Sequence, residues 1–517
     1  MITDFSATTE TAFEADLCIV GTGVAAYTML SVLSASSLKI VVLERGGVDR
    51  DSDESKEKEC HITGHRFTGH QDGRCFGLGG TSLTWGGQAL PLHDFDLEAK
   101  DWVAHSGWPL TQEDIEPYIP AAEAIFNVDP VPYNTDVFSL RSLPPLSPLS
   151  GQVEFHFSKW SPGPNFKPGW LNTYAPHPRI SILTHARATS MEYDDLRREV
   201  DQINIHDPQG KTGVVKAKRY VLAAGGLENP LLLLASETMP SNPWIGKMFQ
   251  DHPTAQVATV RPYDKQILQR YFGYFFRGKT RMLPRISLTR NAVYQNRILS
   301  ATSFIQFIPP EGSFYESLKD IYRPLARGHK PTGKVIRNAL RSMTQIGSIF
   351  KVLKAYVVDR YSFVPNGTPR LTVMIEQSPN VKSKIVLSDK MDHTGHRIPE
   401  IQWFFGEDTI ATFKTFCLIL DSEFKKLNIG KIEWDAWTKE DPETIRHHFI
   451  DAYHHMGGTR MSKTPETGVV NSDSRMHDVS NVYVAGSSVF PTSGHSNPTL
   501  TFMALAIRLS HHLTSLN

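Results

Sequence analysis

The feature that most constrains the fold is a glycine-rich turn near the N-terminus, set between a short apolar run and a helical pattern. The apolar run, Asp16 to Val20, is predicted to be a buried strand, and the helix is predicted from Ala25 onward. The turn over residues 21–26 has the pattern G-x-G-x-x-A. Its first glycine permits a tight turn, its second lets the backbone approach a pyrophosphate, and the alanine keeps helix and strand close. The segment therefore predicts a phosphate-binding turn.

A second predicted strand, Lys39 to Leu43, ends at Glu44, which lies 21 residues after the second glycine of the turn. A carboxylate at this position can accept hydrogen bonds from an adenosine ribose. The ordered set of strand, turn, helix, second strand and acidic residue predicts a dinucleotide site. It does not distinguish NAD from FAD.

Residues 73–87 contain six glycines among fifteen positions, which is incompatible with a regular helix. Phe76, Leu78, Leu83 and Trp85 are interleaved with these glycines. A solvated surface loop, the alternative interpretation, would carry polar residues instead. The block predicts an irregular backbone lying against a flat ligand.

A further buried strand and turn over Arg219–Gly226 precedes a helix predicted from about Glu228. This strand returns to the nucleotide-binding sheet after an excursion of well over a hundred residues. A sheet interrupted in this way favours a large flavoprotein over a contiguous NAD domain.

The last sixty residues contain three informative segments: 453–461, the strand-and-turn segment 481–486, and 493–501, which leads into a helix. Pro498 suits the first position of that helix, because its missing N–H would be unpaired there. The free amides and positive dipole end behind Asn497 could stabilise the negative charge of a reduced flavin. Helix capping alone explains the same residues.

Composition excludes several classes of protein. The chain has 517 residues, enough for two lobes, and its 54 Lys and Arg balance 54 Asp and Glu, so no net field favours nucleic acid. The N-terminus lacks the pattern of a secretory signal, and no apolar run has membrane-spanning length. Four widely separated cysteines are typical of reduced thiols, which predicts a cytoplasmic protein.

The motifs together resemble the glucose–methanol–choline oxidoreductase family over essentially the full length of the chain. The matching segments are GTGVAA with Glu44, GRCFGLGGTSLTWGG, GWPLTQEDIEPY, YVLAAGGLENP, IGKMFQDHP, HHMGGTRM and NPTLT. The last two are most similar to the branch that contains pyranose oxidase and related sugar-oxidising enzymes.

The resemblance implies FAD as cofactor and hydride transfer from an alcohol carbon to flavin N5. The family's catalytic histidine falls on His455, four residues before Thr459, and its second catalytic position falls on Asn497. His455 is predicted to be the base and Asn497 to orient the substrate oxygen. The neighbouring His454 is expected to point to the opposite face.

Three further expectations concern the surroundings of this pair. His495 could also line the substrate pocket. Thr84 stands where some pyranose oxidases carry a flavin-linking histidine, so the FAD is predicted to be non-covalent. The tripeptide 251–253 (Asp-His-Pro) is interpreted as a turn rather than a catalytic element.

The predicted cofactor contacts come from six segments. They are Gly21, Gly23, Val24, Ala25, Glu44, Arg45, Arg74, Gly79, Gly80, Thr81, Thr84, Trp85, Gly86, Gly87, Ala224, Gly225, Gly486, Asn497, Pro498 and Thr499. No metal site is predicted, because the adjacent histidine pairs at 447–448, 454–455 and 511–512 lack Cys or acidic partners at ligand spacing.

The predicted fold class is α/β, with a discontinuous Rossmann-like FAD-binding domain and an α+β substrate-binding lobe. The domain comprises residues 1–95, 185–262 and 452–517, and the lobe comprises 96–184 and 263–451. The lobe is expected to contain an antiparallel sheet, with candidate strands at 370–377 and 384–388 joined by a turn. A basic helical segment at 316–361 is interpreted as a solvated helix face, or alternatively as a lid or docking patch.

The predicted reaction is oxidation of a CH–OH group on a sugar, polyol or glycosylated small molecule, with oxygen or another electron acceptor. Two alternatives stay open at this stage. One is a lyase or other non-redox reaction on the same fold, and the other is a non-catalytic flavin-binding or NAD-binding protein.

Overall fold

The computed structural model describes residues 1–51, 58–146, 150–313, 315–316 and 346–516. Its strands are β1 Ile2–Asp4, β2 Ala12–Val20, β3 Ile40–Leu43, β4 His61–Gly64, β5 Gln88–Ala89, β6 Val153–Trp160, β7 Ile180–Thr184, β8 Arg187–Asp194, β9 Glu199–His206, β10 Thr212–Leu222, β11 Thr254–Pro262, β12 Phe275–Arg277, β13 Thr280–Leu288, β14 Ala301–Ile308, β15 Thr368–Ile375, β16 Lys384–Met391, β17 Arg397–Trp403, β18 Gly430–Trp434 and β19 Val482–Val484.

The longer helices are α1 Val24–Leu33, α2 Ile119–Phe126, α3 Glu228–Ala235, α4 Lys265–Phe272, α5 Ile346–Val357, α6 Glu407–Leu427 and α7 Thr499–Ser515. Shorter helices span Gly69–Asp72, Asp94–Leu97, Gln112–Ile115, Lys167–Gly169, Arg290–Asn296 and Pro442–His448.

The first sheet has the strand order β1-β7-β3-β2-β10-β9-β8. Strand β9 pairs with the N-terminal part of β10, and β19 pairs with its C-terminal part. Strands β1, β7, β3, β2, β10 and β19 run parallel, whereas β8 and β9 are antiparallel additions. The parallel strands therefore end at one edge, where the turn after β2, Glu44 after β3, the turn after β10 and Gly486 after β19 all lie. In open α/β sheets, ligands bind outside the carboxyl ends of the strands.

The second sheet is antiparallel throughout, in the order β18-β11-β15-β14-β13-β6-β5, with β12 paired to β13. Alternate residues along a strand lie on opposite faces. One face contributes Ile286, Ile305 and Val373 to an apolar core shared with α6. The other face is buried and polar, with His156, Ser158, Arg285, Ser287 and Thr302. A smaller third sheet has the order β16-β17-β4.

The α/β fold class and the antiparallel sheet predicted from the sequence are confirmed. The two candidate strands near 370 and 384 exist, but they do not pair with each other. Strand β15 pairs with β11 and β14 in the second sheet, and β16 pairs with β17 in the third. The turn between them therefore connects two sheets.

Some boundaries differ from the predicted division of the chain. Ile180–Thr184, assigned to the substrate-binding lobe, is a strand of the first sheet that pairs in parallel with β3. It belongs there because Ile182 and Leu183 are fully buried among the apolar residues of that sheet. Within the basic segment 316–361, Ile346–Val357 is helical, and residues 317–345 lie outside the described residues. Across the described ranges, no helix combines the length and apolarity that a membrane crossing requires.

Candidate functional site

A cavity of about 2560 Å³ lies at the carboxyl edge of the parallel strands. It is larger than most small-molecule pockets, which enclose about 300–1,000 Å³. Every predicted cofactor residue lines it except Gly79. The lining also includes residues of β5, β6, β16 and β17, so the second and third sheets contribute to its walls.

The turn after β2 can be formed only by glycine at its first position. Gly21 has φ +102, and a Cβ there would lie 2.7 Å from the carbonyl oxygen of Ala223. Helix α1 begins after Gly23, with no side chain capping its N-terminus. The free amides and the positive dipole end of α1 thus border the cavity.

Glu44 links the two glycine-rich segments. Its carboxylate accepts hydrogen bonds from the backbone N–H of Thr22 (3.2 Å), Gly46 (3.0 Å) and Gly77 (3.0 Å), and from the Thr22 hydroxyl. Burial raises the pKa of Glu44, and these hydrogen bonds oppose that shift. A ribose hydroxyl would therefore have to share this carboxylate with donors of the protein itself.

Arg74 and Arg45 form ion pairs rather than pointing freely into the cavity. The Arg74 guanidinium lies 2.5 Å from the carboxylate of Glu228, at the start of α3, and that of Arg45 lies 3.6 Å from it. Arg45 also stacks over the Phe76 ring at 4.2 Å. Burial acts to raise the pKa of Glu228, but Arg74, Arg45 and the nearby Arg187 together outweigh it and the pKa is lowered.

Replacing Glu228 with Gln is expected to lower the free energy of unfolding by about 3 kcal/mol, because it leaves two poorly solvated guanidinium groups without their carboxylate. Urea denaturation measures this change. The matched control is Asp421→Asn, which removes an exposed pair with Lys425 and should cost less than about 1 kcal/mol. Equal effects of the two substitutions would contradict the structural role of Glu228.

The reacting-centre residues are brought together from two segments far apart in the chain. His454 Nε2 lies 2.8 Å from Asn497 Nδ2. Asn497 immediately precedes Pro498, the residue before α7. Both residues line the cavity. The Asn497 Oδ1 atom is buried without a hydrogen-bond partner in the described chain. Helix α7 has no side-chain cap, so its amides are free beside this pair.

His455, the residue predicted to be the base, lines the cavity but does not contact Asn497, because the neighbouring ring, that of His454, makes this contact. The His455 ring packs near Phe67 and Phe249, with centroid distances of 5.6 and 6.2 Å. Burial lowers the pKa of His455 to about 3. The two rings do lie on opposite sides of the chain, as alternation predicts, but alternation does not say which side faces Asn497.

Tertiary contacts decide the orientation of this segment. Tyr453 adopts φ +63, in the left-handed region, and Met456 exchanges both backbone hydrogen bonds with Gln250. Gly226 lies against the His455 backbone, where a Cβ would come 2.3 Å from the His455 carbonyl oxygen. These contacts turn His455 inward and leave His454 facing Asn497.

The tripeptide interpreted as a turn contributes directly to the site. Asp251 accepts hydrogen bonds from the backbone N–H of Ala452 (2.9 Å) and His454 (3.0 Å). His252 Nδ1 lies 2.8 Å from His454 Nδ1. Sequence patterns carried no sign of this contact, because the residues lie about two hundred positions apart.

His495 does not line the cavity, in contrast to the expectation from sequence. It is fully buried, with Nδ1 2.7 Å from Ser300 Oγ, against the polar face of the second sheet. One ring nitrogen of His495, one of His93 and one of His156 all lie within 4.8 Å of one another. No local sequence pattern predicts this cluster, because its members come from three distant segments. Burial lowers the pKa of His156 and of His495, and the neighbouring His93 and Arg285 act in the same direction.

Comparison with known proteins shows which family this chain resembles. GMC oxidoreductase profiles match residues 166–254 and 379–506. A fructose dehydrogenase large subunit from Gluconobacter japonicus is 25% identical over 335 positions, covering 63% of this chain and 52% of that protein, so the chain spans about half of that relative. A 6'''-hydroxyparomomycin C oxidase from Streptomyces lividus is 22% identical, covering 97% of this chain and 91% of that protein.

The solved structure of a formate oxidase has the same fold, with a TM-score of 0.59 at 15% identity over 98% of this chain and 99% of that one. The fold and site thus define an α/β dinucleotide-binding protein with a histidine–asparagine pair at its cavity. The chain belongs to the GMC oxidoreductase family. The named relatives are a dehydrogenase and two oxidases.

Proposed function

We propose that the protein oxidises a CH–OH group of a sugar, polyol or glycosylated small molecule, with His454 as the base and Asn497 as the residue that orients the substrate oxygen. The observation that carries this proposal is the 2.8 Å contact between His454 Nε2 and Asn497 Nδ2 at the cavity wall. An imidazole nitrogen beside an amide N–H provides an acceptor for the hydroxyl proton and a donor for the oxygen.

The cavity fits FAD in the features that the cofactor requires. Gly225 has φ +98 and faces open space, with no atom within 4 Å of an added Cβ. The uncapped N-termini of α1 and α7 border the cavity. We infer that the turn after β2 holds the pyrophosphate, and that the start of α7 lies beside the flavin ring. Thr84 offers no imidazole for a covalent link, which supports non-covalent binding.

Bound FAD supplies the hydride acceptor for the alcohol carbon. A substrate hydroxyl would displace the Asn497 N–H from His454 Nε2. His454 then takes the hydroxyl proton at Nε2, and the Asn497 amide donates to the substrate oxygen as negative charge develops there. Burial and the neighbouring His252 and Arg285 hold the pKa of His454 well below its usual range, so the ring is neutral and ready to accept a proton. The His455 ring also lines the cavity, but it packs near Phe67 and Phe249 and does not contact Asn497.

The names of two relatives support a hydroxyl-rich substrate. Two relatives are named for sugar-derived compounds, a fructose dehydrogenase and an oxidase of 6'''-hydroxyparomomycin C. One is a dehydrogenase and the other an oxidase, so oxygen and another acceptor are both open to test.

Two further proposals concern the whole chain. We propose the predicted division into an FAD-binding domain and a substrate-binding lobe, with β7 reassigned to the former and with β5 and β11, which pair within the second sheet, reassigned to the latter. The four cysteines form no disulfide, which supports the proposed cytoplasmic location.

The proposed reaction is tested by mixing the FAD-loaded protein anaerobically with a panel of sugars, polyols and glycosides while recording the visible spectrum. Bleaching of the flavin absorbance by a member of the panel is the expected result, and readmitting air then separates an oxidase from a dehydrogenase. Turnover of a compound without bleaching would favour the lyase alternative. A flavin that no alcohol reduces would overturn the assignment.

The rate constant of flavin reduction is expected to stay level as the pH falls from about 8 to about 6. A base works only while unprotonated, and the lowered pKa of His454 moves its protonation below the ordinary histidine value of about 6.5. The acid limb of the rate should therefore lie below pH ~6.5, which anaerobic stopped-flow measurements across this range would reveal. A midpoint at or above that value would contradict the buried, neutral base.

A further inference from the structure

The side of the His454 ring that faces away from Asn497 is in contact with a second histidine. His252 Nδ1 lies 2.8 Å from His454 Nδ1, and His252 Nε2 lies 2.9 Å from the carbonyl oxygen of Gly494. His252 is fully buried. The three contacts form an unbroken chain from a backbone carbonyl to the amide of Asn497.

The chemistry of the carbonyl end determines the direction of every hydrogen bond in this chain. A carbonyl oxygen only accepts, so His252 Nε2 must carry a proton and donate it to Gly494. In a neutral ring the other nitrogen, Nδ1, then bears a lone pair and accepts from the Nδ1–H of His454. This leaves the lone pair of His454 on Nε2, facing the Asn497 amide and the cavity.

The surroundings keep both rings neutral, as this assignment requires. Burial lowers the pKa of His252 to about 4 and that of His454 well below its usual range, and the nearby Arg285 acts in the same direction. Asp251 accepts the backbone N–H groups of His252 (2.6 Å) and His454 (3.0 Å). The Asp251 carboxylate therefore holds the backbone of His252 and the backbone of His454 at a constant separation.

We propose that His252 is a positioning residue that sets the tautomer of His454, by accepting its Nδ1 proton while Gly494 accepts the proton of His252. The inference rests on the proposed role of His454 as base. In the other tautomer, His454 would present an N–H to the substrate hydroxyl and could not accept its proton. His252 does not line the cavity, so it acts through His454 alone.

The test compares His252→Leu with His252→Asn in the FAD-loaded protein. Leu removes the acceptor, whereas the Asn side-chain oxygen can take the place of Nδ1. Flavin reduction by the substrate found in the panel is expected to slow by about 10–100-fold in the Leu variant, and by less than about 5-fold in the Asn variant. Equal losses in both variants would overturn the proposal.

A double-mutant comparison separates positioning from general structural damage. In a His454→Ala background, His252→Leu should cause no further loss, because the ring on which it acts is gone. The same additional factor in that background would show that His252 acts independently of His454, against the proposal. FAD content and the midpoint of thermal unfolding are recorded for each variant.

A spectroscopic readout needs neither a substrate nor a His252 variant. Long-range ¹H–¹⁵N correlation spectra of the FAD-loaded protein with ¹⁵N-labelled histidine distinguish the two neutral tautomers, and the His454→Ala spectrum assigns the signals of His454. A proton on Nδ1 is the expected result, and a proton on Nε2 would overturn the proposal. Because this readout is independent of turnover, it stands even if no alcohol reduces the flavin, so the two proposals can fail separately.

Discussion

Replacing His454 with Ala is expected to slow flavin reduction by ~10²–10⁴-fold while FAD stays bound, the range typical of losing a general base. The side chain lies at the cavity wall, 2.8 Å from Asn497, and the substitution removes the acceptor for the hydroxyl proton. Anaerobic stopped-flow spectroscopy at saturating substrate measures the rate constant, and the flavin absorbance of the purified protein reports FAD content.

The matched control is His455→Ala, which removes the imidazole of the adjacent histidine instead. The His455 ring packs near Phe67 and Phe249, so this change should affect stability more than chemistry, with a loss in rate of less than about 10-fold. The two variants together distinguish the assignment made from motif position from the assignment made from geometry. A large loss in the His455 variant with a small one in the His454 variant would restore the original assignment.

Replacing Gly21 with Ala is expected to yield protein that purifies without FAD. A Cβ at this position would lie 2.7 Å from the Ala223 carbonyl oxygen and 2.9 Å from the Ala224 Cα, on backbone that cannot move independently of the sheet. The positive φ of +102 adds about 1–2 kcal/mol of strain for a residue with a side chain. The amount of bound cofactor is measured from the absorbance of oxidised flavin at roughly 450 nm, divided by the protein absorbance at about 280 nm.

Gly210→Ala separates backbone strain from the clash. Gly210 has a similar φ of +92, but no atom lies within 4 Å of an added Cβ. This variant should retain FAD and lose only about 1–2 kcal/mol of stability. Circular dichroism of the Gly21 variant checks that its secondary structure is intact. Full FAD occupancy in a folded Gly21→Ala protein would show that the turn after β2 is not where the cofactor binds.

Local sequence patterns were sufficient for the elements of the nucleotide-binding edge. Residues 16–20, 39–43, 219–222 and 481–484 were predicted as strands, and all contain strand residues of the first sheet. Apolar runs bounded by glycine turns are specific for buried parallel strands, because both faces of such strands are covered. The helix after Pro498 is confirmed for a similar reason, since proline suits a helix start. These patterns, with the family motifs, also determined the α/β fold class.

Several features were decided by the tertiary structure alone. Alternation of side chains separates His454 from His455, but only the left-handed Tyr453, the pairing of Met456 with Gln250 and the close approach of Gly226 select which ring faces Asn497. The contact between His252 and His454 and the histidine cluster around His495 depend on residues hundreds of positions apart. The sequence by itself therefore determined the sheet edge and its turns, because short-range periodicity and turn chemistry encode them, and its family motifs implied FAD as the cofactor. The direction of each reacting side chain is set by long-range packing, which no local pattern records.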